Sequence, residues 1–183
     1  MFDTSEGYAY LLKSKSNIIE GDLQFRKHIY TFKSPKTNQT YVLEVDEFEA
    51  FVLCAVKFSL KAHRNSSRRF SLKSGLQEAP SILTTCINVL MQLYDENPYR
   101  SFSFIGMSSE EEQTDPTKGK NNTKRFRLYC KIVAYLVSDK KFHHYRYAKS
   151  SAYLLLNRDY AATQPKLLEQ IETFFLKHYD LVV

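Results

Sequence analysis

Residues 29–45 read IYTFKSPKTNQTYVLEV. Two runs of β-branched and aromatic residues, 29–33 and 40–45, flank a Ser-Pro-Lys-Thr-Asn-Gln cluster. Such side chains suit a pleated, half-buried surface, and the Pro/Asn cluster interrupts the pattern. The stretch therefore predicts a β-hairpin with a loop longer than the two-residue ideal. Downstream, residues 55–61 alternate cleanly, with Val56, Phe58 and Leu60 on one side and Lys57, Ser59 and Lys61 on the other. That alternation predicts a third antiparallel strand with one solvated face. Upstream the alternation is poor, so residues 1–24 are expected to form an extended segment, with an edge strand around 8–12.

Past residue 78 the period changes. Pro80 and Ser81 open a segment in which Ile82, Leu83, Cys86, Ile87, Leu90, Met91 and Tyr94 recur at helical spacing, and Asn97-Pro98 stops it. Residues 101–107 (SFSFIGM) predict a short strand. Residues 108–123 hold four acids, Pro116, Gly119 and two asparagines, and predict a mobile polar loop. A second helix is expected over 124–137, with Phe126, Tyr129, Val133 and Leu136 on one stripe. Residues 142–147 and 151–157 are β-like, as a hairpin or as one bent strand. A helix with Pro165 in its first turn buries Leu167, Leu168, Ile171, Phe174 and Phe175 and ends near His178. Hairpins early and helices late place residues 1–183 in one α+β domain. Its antiparallel sheet is built from an N-terminal meander, with about three helices packed on a face.

Composition narrows the class of function. The start of the chain lacks a basic n-region and long apolar run, and no stretch approaches the ~20 apolar residues of a membrane span. The expectation is a cytoplasmic protein with no membrane partner. Cys54, Cys86 and Cys130 are far apart, each in an apolar run, and are expected to be reduced core thiols rather than metal ligands. The net charge of +6 hides an asymmetry. Residues 57–73 carry Lys57, Lys61, Arg64, Arg68, Arg69 and Lys73 with no acid, and residues 118–149 carry ten Lys or Arg against Asp139 alone. Two basic segments in an otherwise acidic chain point to an anionic partner if they converge in space. The sequence leaves open whether they do.

Two constellations stand out. Residues 121–127 (NNTKRFR) place Lys124, Arg125 and Arg127 in the first turn of a helix, where the free N–H groups favour acids. Either the acidic run 110–115 folds back as counter-charge, or the site holds an anion. In residues 142–147 (FHHYRY), a strand puts His143, Tyr145 and Tyr147 on one face and His144 and Arg146 on the other. Imidazole beside guanidinium is the chemistry of metal-independent RNA cleavage, but adjacent histidines point apart and make no ready acid–base pair. His28, His63 and His178 have no partner at metal-site spacing. The run Phe102-x-Phe104-x-Gly106 has too few glycines for a phosphate loop. No nucleotide, dinucleotide or nucleophile-elbow motif is present. No cofactor and no metal are expected.

The runs SFSFIG, NTKRFRLYCKIV, FHHY and SAYLLLN, spread over residues 25–160, resemble small uncharacterised α+β protein families common in Bacteroidota. That resemblance implies a compact cytoplasmic bacterial protein, of a kind that often travels with mobile elements or phage-defence loci. It implies no activity. Taken together, the favoured expectation is a non-enzymatic binding module that engages nucleic acid or an acidic protein through Lys124, Arg125, Arg127, Arg64, Arg68, Arg69 and Arg146. Two alternatives are a ribonuclease or toxin-like enzyme using His143 or His144 with Arg146, and an antitoxin-like accessory subunit.

Overall fold

The computed structural model describes residues 6–63, 65, 78–105 and 124–179. Seven strands form one sheet in the order β1-β2-β3-β4-β5-β7-β6. β1 (Tyr10–Glu20), β2 (Leu23–Lys33), β3 (Thr40–Phe48) and β4 (Leu53–Leu60) make an antiparallel meander. The hairpin read from residues 29–45 is β2–β3, with Tyr30 opposite Leu43 and Phe32 opposite Tyr41. The N-terminal segment is more ordered than its sequence pattern implies. β1 is an edge strand of 11 residues, with a bulge between Leu12 and Ser14. Most of its residues are exposed whichever face they take, so no buried face imposes a period of two, and the bulge interrupts what alternation there is.

Helix α1 (Ala79–Glu96) carries the chain to β5 (Ser101–Ile105), which runs parallel to β4, Leu53 facing Ser101 and Val56 facing Phe104. Helix α2 (Lys124–Leu136) leads into β6 (Phe142–Tyr147) and β7 (Ala152–Asn157). These last two are an antiparallel hairpin, not one bent strand. β7 inserts between β6 and β5, and every one of its residues is buried. A six-residue helix, α3 (Arg158–Thr163), follows; Asn157 caps it by accepting from the Tyr160 N–H at 2.9 Å. This short helix has no apolar period of its own to predict it. Helix α4 (Leu167–Tyr179) comes next.

The helices cover both faces of the sheet, not one. On the first face α1 and α2 pack against Tyr30, Tyr41, Leu43, Val45, Phe102, Phe104, Tyr153 and Leu155. On the second, Leu167, Ile171, Phe174 and Phe175 of α4 meet Phe48, Leu53, Ala55, Leu154 and Leu156. The face of β4 expected to be solvated is therefore half covered. Leu53 and Ala55, outside or at the edge of the alternating run, are the residues α4 buries. Lys57 on the same face is paired with Asp46 at 2.6 Å. Among the described residues no helix is long and apolar enough to cross a membrane.

Candidate nucleic-acid interface

Five residues separate α2 from β6, so the helix end and the start of the strand lie side by side. Phe142, fully in the core against Phe102 and Tyr94, anchors the strand. Among the described residues β6 is the outer strand of the sheet, paired with β7 alone. Between its open edge and the end of α2 lies a cleft of about 630 Å³, lined by Tyr135, Val137, Asp139, His143, His144, Arg146 and Arg158 among others.

The register fixes which way each side chain goes. His144 stands opposite Leu155 and Arg146 opposite Tyr153, on the α1/α2 face. His143 stands opposite Leu156, on the α4 face. The two histidines thus face apart, as the strand period requires, and the cleft wraps around the strand edge to reach both. His144 Nδ1 is 2.7 Å from the hydroxyl of the buried Tyr153. Its Nε2 is buried with no hydrogen-bond partner among the described residues. Burial first and the Arg146 guanidinium second lower the His144 pKa. Burial and Arg158 do the same for His143. Both shifts favour the neutral ring.

The two guanidiniums are placed differently. Arg146 lies 6.0 Å from the centre of the Tyr153 ring, a cation–π distance. Arg158 donates from Nε to the Asp139 carbonyl at 2.6 Å, and its Nη1 is 3.5 Å from His143 Nε2. Asp139 is the one carboxylate among the described residues that line the cleft. On the adjoining helix, Arg127, Lys131 and Tyr135 are exposed. They are spaced four apart and so form one stripe running down α2 to the cleft.

The structure thus brings Arg146 and Arg127 to the same side of the molecule and adds Arg158 and Tyr135, which sequence reasoning did not select. The signal for Tyr135 was its helical spacing from Arg127; Arg158 carries no local signal. Lys124 and Arg125 begin α2, about three turns from Tyr135 at the cleft. Arg64, Arg68 and Arg69, the acidic run 110–115, the rest of the polar loop 108–123 and the expected cap at 121–123 lie outside the described residues. The described parts of the two basic segments do not converge. Lys57 belongs to the α4 face, where it and Lys27 neutralise Asp46, at 2.6 and 3.6 Å. α2 lies on the opposite face.

A second polar cluster is structural. Glu47, Arg100 and His28 are all buried. Glu47 accepts from Arg100 at 3.0 and 2.5 Å and lies 2.9 Å from His28 Nε2, while Arg100 also donates to the Leu93 carbonyl at the end of α1. Arg100 thereby caps the C-terminal carbonyls of that helix. Among the described residues no group of three or more His, Cys, Asp or Glu is placed to hold a metal ion. Cys54 and Cys86 are buried in the first core, and burial pushes the Cys54 thiol up to about 12. Comparison with protein-family models, curated proteins and solved structures gives no match to this chain.

Proposed function

We propose that the chain is a binding module that engages an anionic partner through the cleft between α2 and the edge of β6. The observation that carries this reading is the composition of that cleft. Among the described residues, two guanidiniums, Arg146 and Arg158, stand in it against a single carboxylate. Among the described residues neither is in an ion pair, in contrast to Lys27, Lys57 and Arg100, which are each bound to acids. Cations held without internal acids are the pattern expected where the counter-charge arrives with a partner.

A ribonuclease-type reading ranks second, and one observation favours it. His144 is oriented by Tyr153 in the wall of the cleft, and burial lowers its pKa, which favours the form that can act as a general base. Against it, phosphodiester cleavage also needs an acid, and the other imidazole lies across the sheet. The Tyr153 hydroxyl, its pKa raised by burial, is a poor proton donor.

The test is a titration of the purified chain with inorganic polyphosphate at low and physiological salt. Binding should fall steeply with salt, since contacts between cations and a polyanion release counterions. Arg146→Glu and Arg158→Glu should each weaken it at least about tenfold, an amount typical of one charge-assisted contact, with the thermal melt unchanged. Binding that survives both reversals would place the anionic partner elsewhere. RNA turnover lost in His144→Gln, with the fold intact, would exchange the two readings.

A further inference from the structure

We infer that the partner of this cleft is single-stranded nucleic acid, with bases stacking on Tyr135 and phosphates held by Arg146 and Arg158. The inference rests on the anion-binding reading above and adds the chemical class of the partner.

Charge alone does not choose between a nucleic acid and an acidic protein; the aromatic does. Tyr135 lines the cleft and is 70 % exposed. Exposed tyrosines are common enough singly, but this one ends the stripe that begins with Arg127 and Lys131. Successive members of that stripe are one helical turn apart, about 6 Å. A track of cations leading to an open aromatic face is how single strands are held. The backbone follows the positive charge, and any base offers a π-face to the ring. An acidic peptide has carboxylates for the arginines but nothing that needs the ring.

A duplex hides its base faces in the stack and would leave Tyr135 unused, so the open ring selects a single strand. RNA and DNA share this chemistry, and the 2′-hydroxyl is the group through which a protein separates them.

The chain contains no tryptophan, so Tyr135→Trp installs a sole indole at the proposed stacking position. Oligothymidylate and oligouridylate of about a dozen nucleotides, within the site sizes of single-strand binders, are titrated against it beside inorganic polyphosphate, a duplex and polyglutamate. Indole fluorescence should be quenched by the oligonucleotides and not by polyphosphate. Tyr135→Ala should weaken oligonucleotide binding about 5- to 150-fold more than it weakens polyphosphate binding, the range for loss of one stacked base. The RNA and DNA arms assign the source. An unquenched indole at saturation, or polyglutamate or duplex binding as tightly as the single strands, would overturn the inference while leaving the anion site standing. Failure of polyphosphate as well as oligonucleotides to bind would remove both.

Discussion

Glu47 shows how a single buried charge is held in this protein. Its hydrogen bond to His28 and, against the cost of burial, its pairing with Arg100 hold the carboxyl down to about 2, from an ordinary 4.5. A carboxylate whose folded pKa is depressed adds stability that is complete above its unfolded pKa and is lost as pH falls through the folded one. The difference in stability between the wild type and Glu47→Gln should therefore be constant above about pH 5. It should shrink steadily between 4.5 and about 2, as followed by denaturant melts across that range. Arg100→Met removes the closest charge partner of Glu47, leaving His28 and the more distant Arg26, and uncaps α1, at an expected cost of about 3 kcal/mol. A second residue carries strain of another kind. Val52 has φ 48 and ψ 45, in the left-handed region, where a β-branched side chain is disfavoured by roughly 1–2 kcal/mol. The conformation is imposed from outside, since the Val52 carbonyl accepts from Ser101 N–H at 2.8 Å and so ties β5 to β4. Val52→Gly should raise stability by about 0.5–1 kcal/mol, less than the strain because glycine loses more freedom on folding. An unchanged or lower melting temperature would show that the half-buried side chain outweighs its backbone.

At the scale of elements, β1 is the clearest case of a strand shaped by what it must not do. It presents an open edge with Leu11 58 % and Ile19 74 % exposed, the features that invite pairing with another chain. Its centre carries Lys13 and Lys15, with the bulge falling between Leu12 and Ser14. Lysines and bulges are the devices that blunt such edges. The double variant Lys13→Val, Lys15→Val should self-associate at concentrations where the wild type does not, measured by sedimentation. Exposure along both faces explains why most of β1 was illegible in the sequence. The β2–β3 hairpin, α1, α2 and α4 were legible because each keeps its own period from end to end. The helical faces were legible too, but not the side of the sheet each helix takes, since a stripe such as Leu167, Ile171 and Phe174 records only that it is buried. In the cleft, Arg127 and Arg146 were visible as charges. Arg158 was not, because its place beside His143 is made only when β7 folds back along β6.

For the whole molecule, the consequence is a sheet with an apolar interior on each side, each with its own helices. Phe48, Leu53, Ala55, Leu154 and Leu156 are covered by α4 and its neighbours. A chain ended after Thr163 would expose that surface to water. Such a truncation should lose its cooperative thermal transition and bind a hydrophobic dye, whereas the anion cleft, built from α2, β6 and Arg158, contains no residue of α4. The sheet order has a further consequence, for the making of the protein. β5 is paired with β4 on one side and waits for β7 on the other, and α2 and β6 are translated in between. At about 5–20 residues per second, β5 emerges seconds before the strand that completes its pairing. Throughout that interval the growing polypeptide holds a half-built sheet, and its vacant margin is the place where a misplaced segment, or a chaperone, would first take hold.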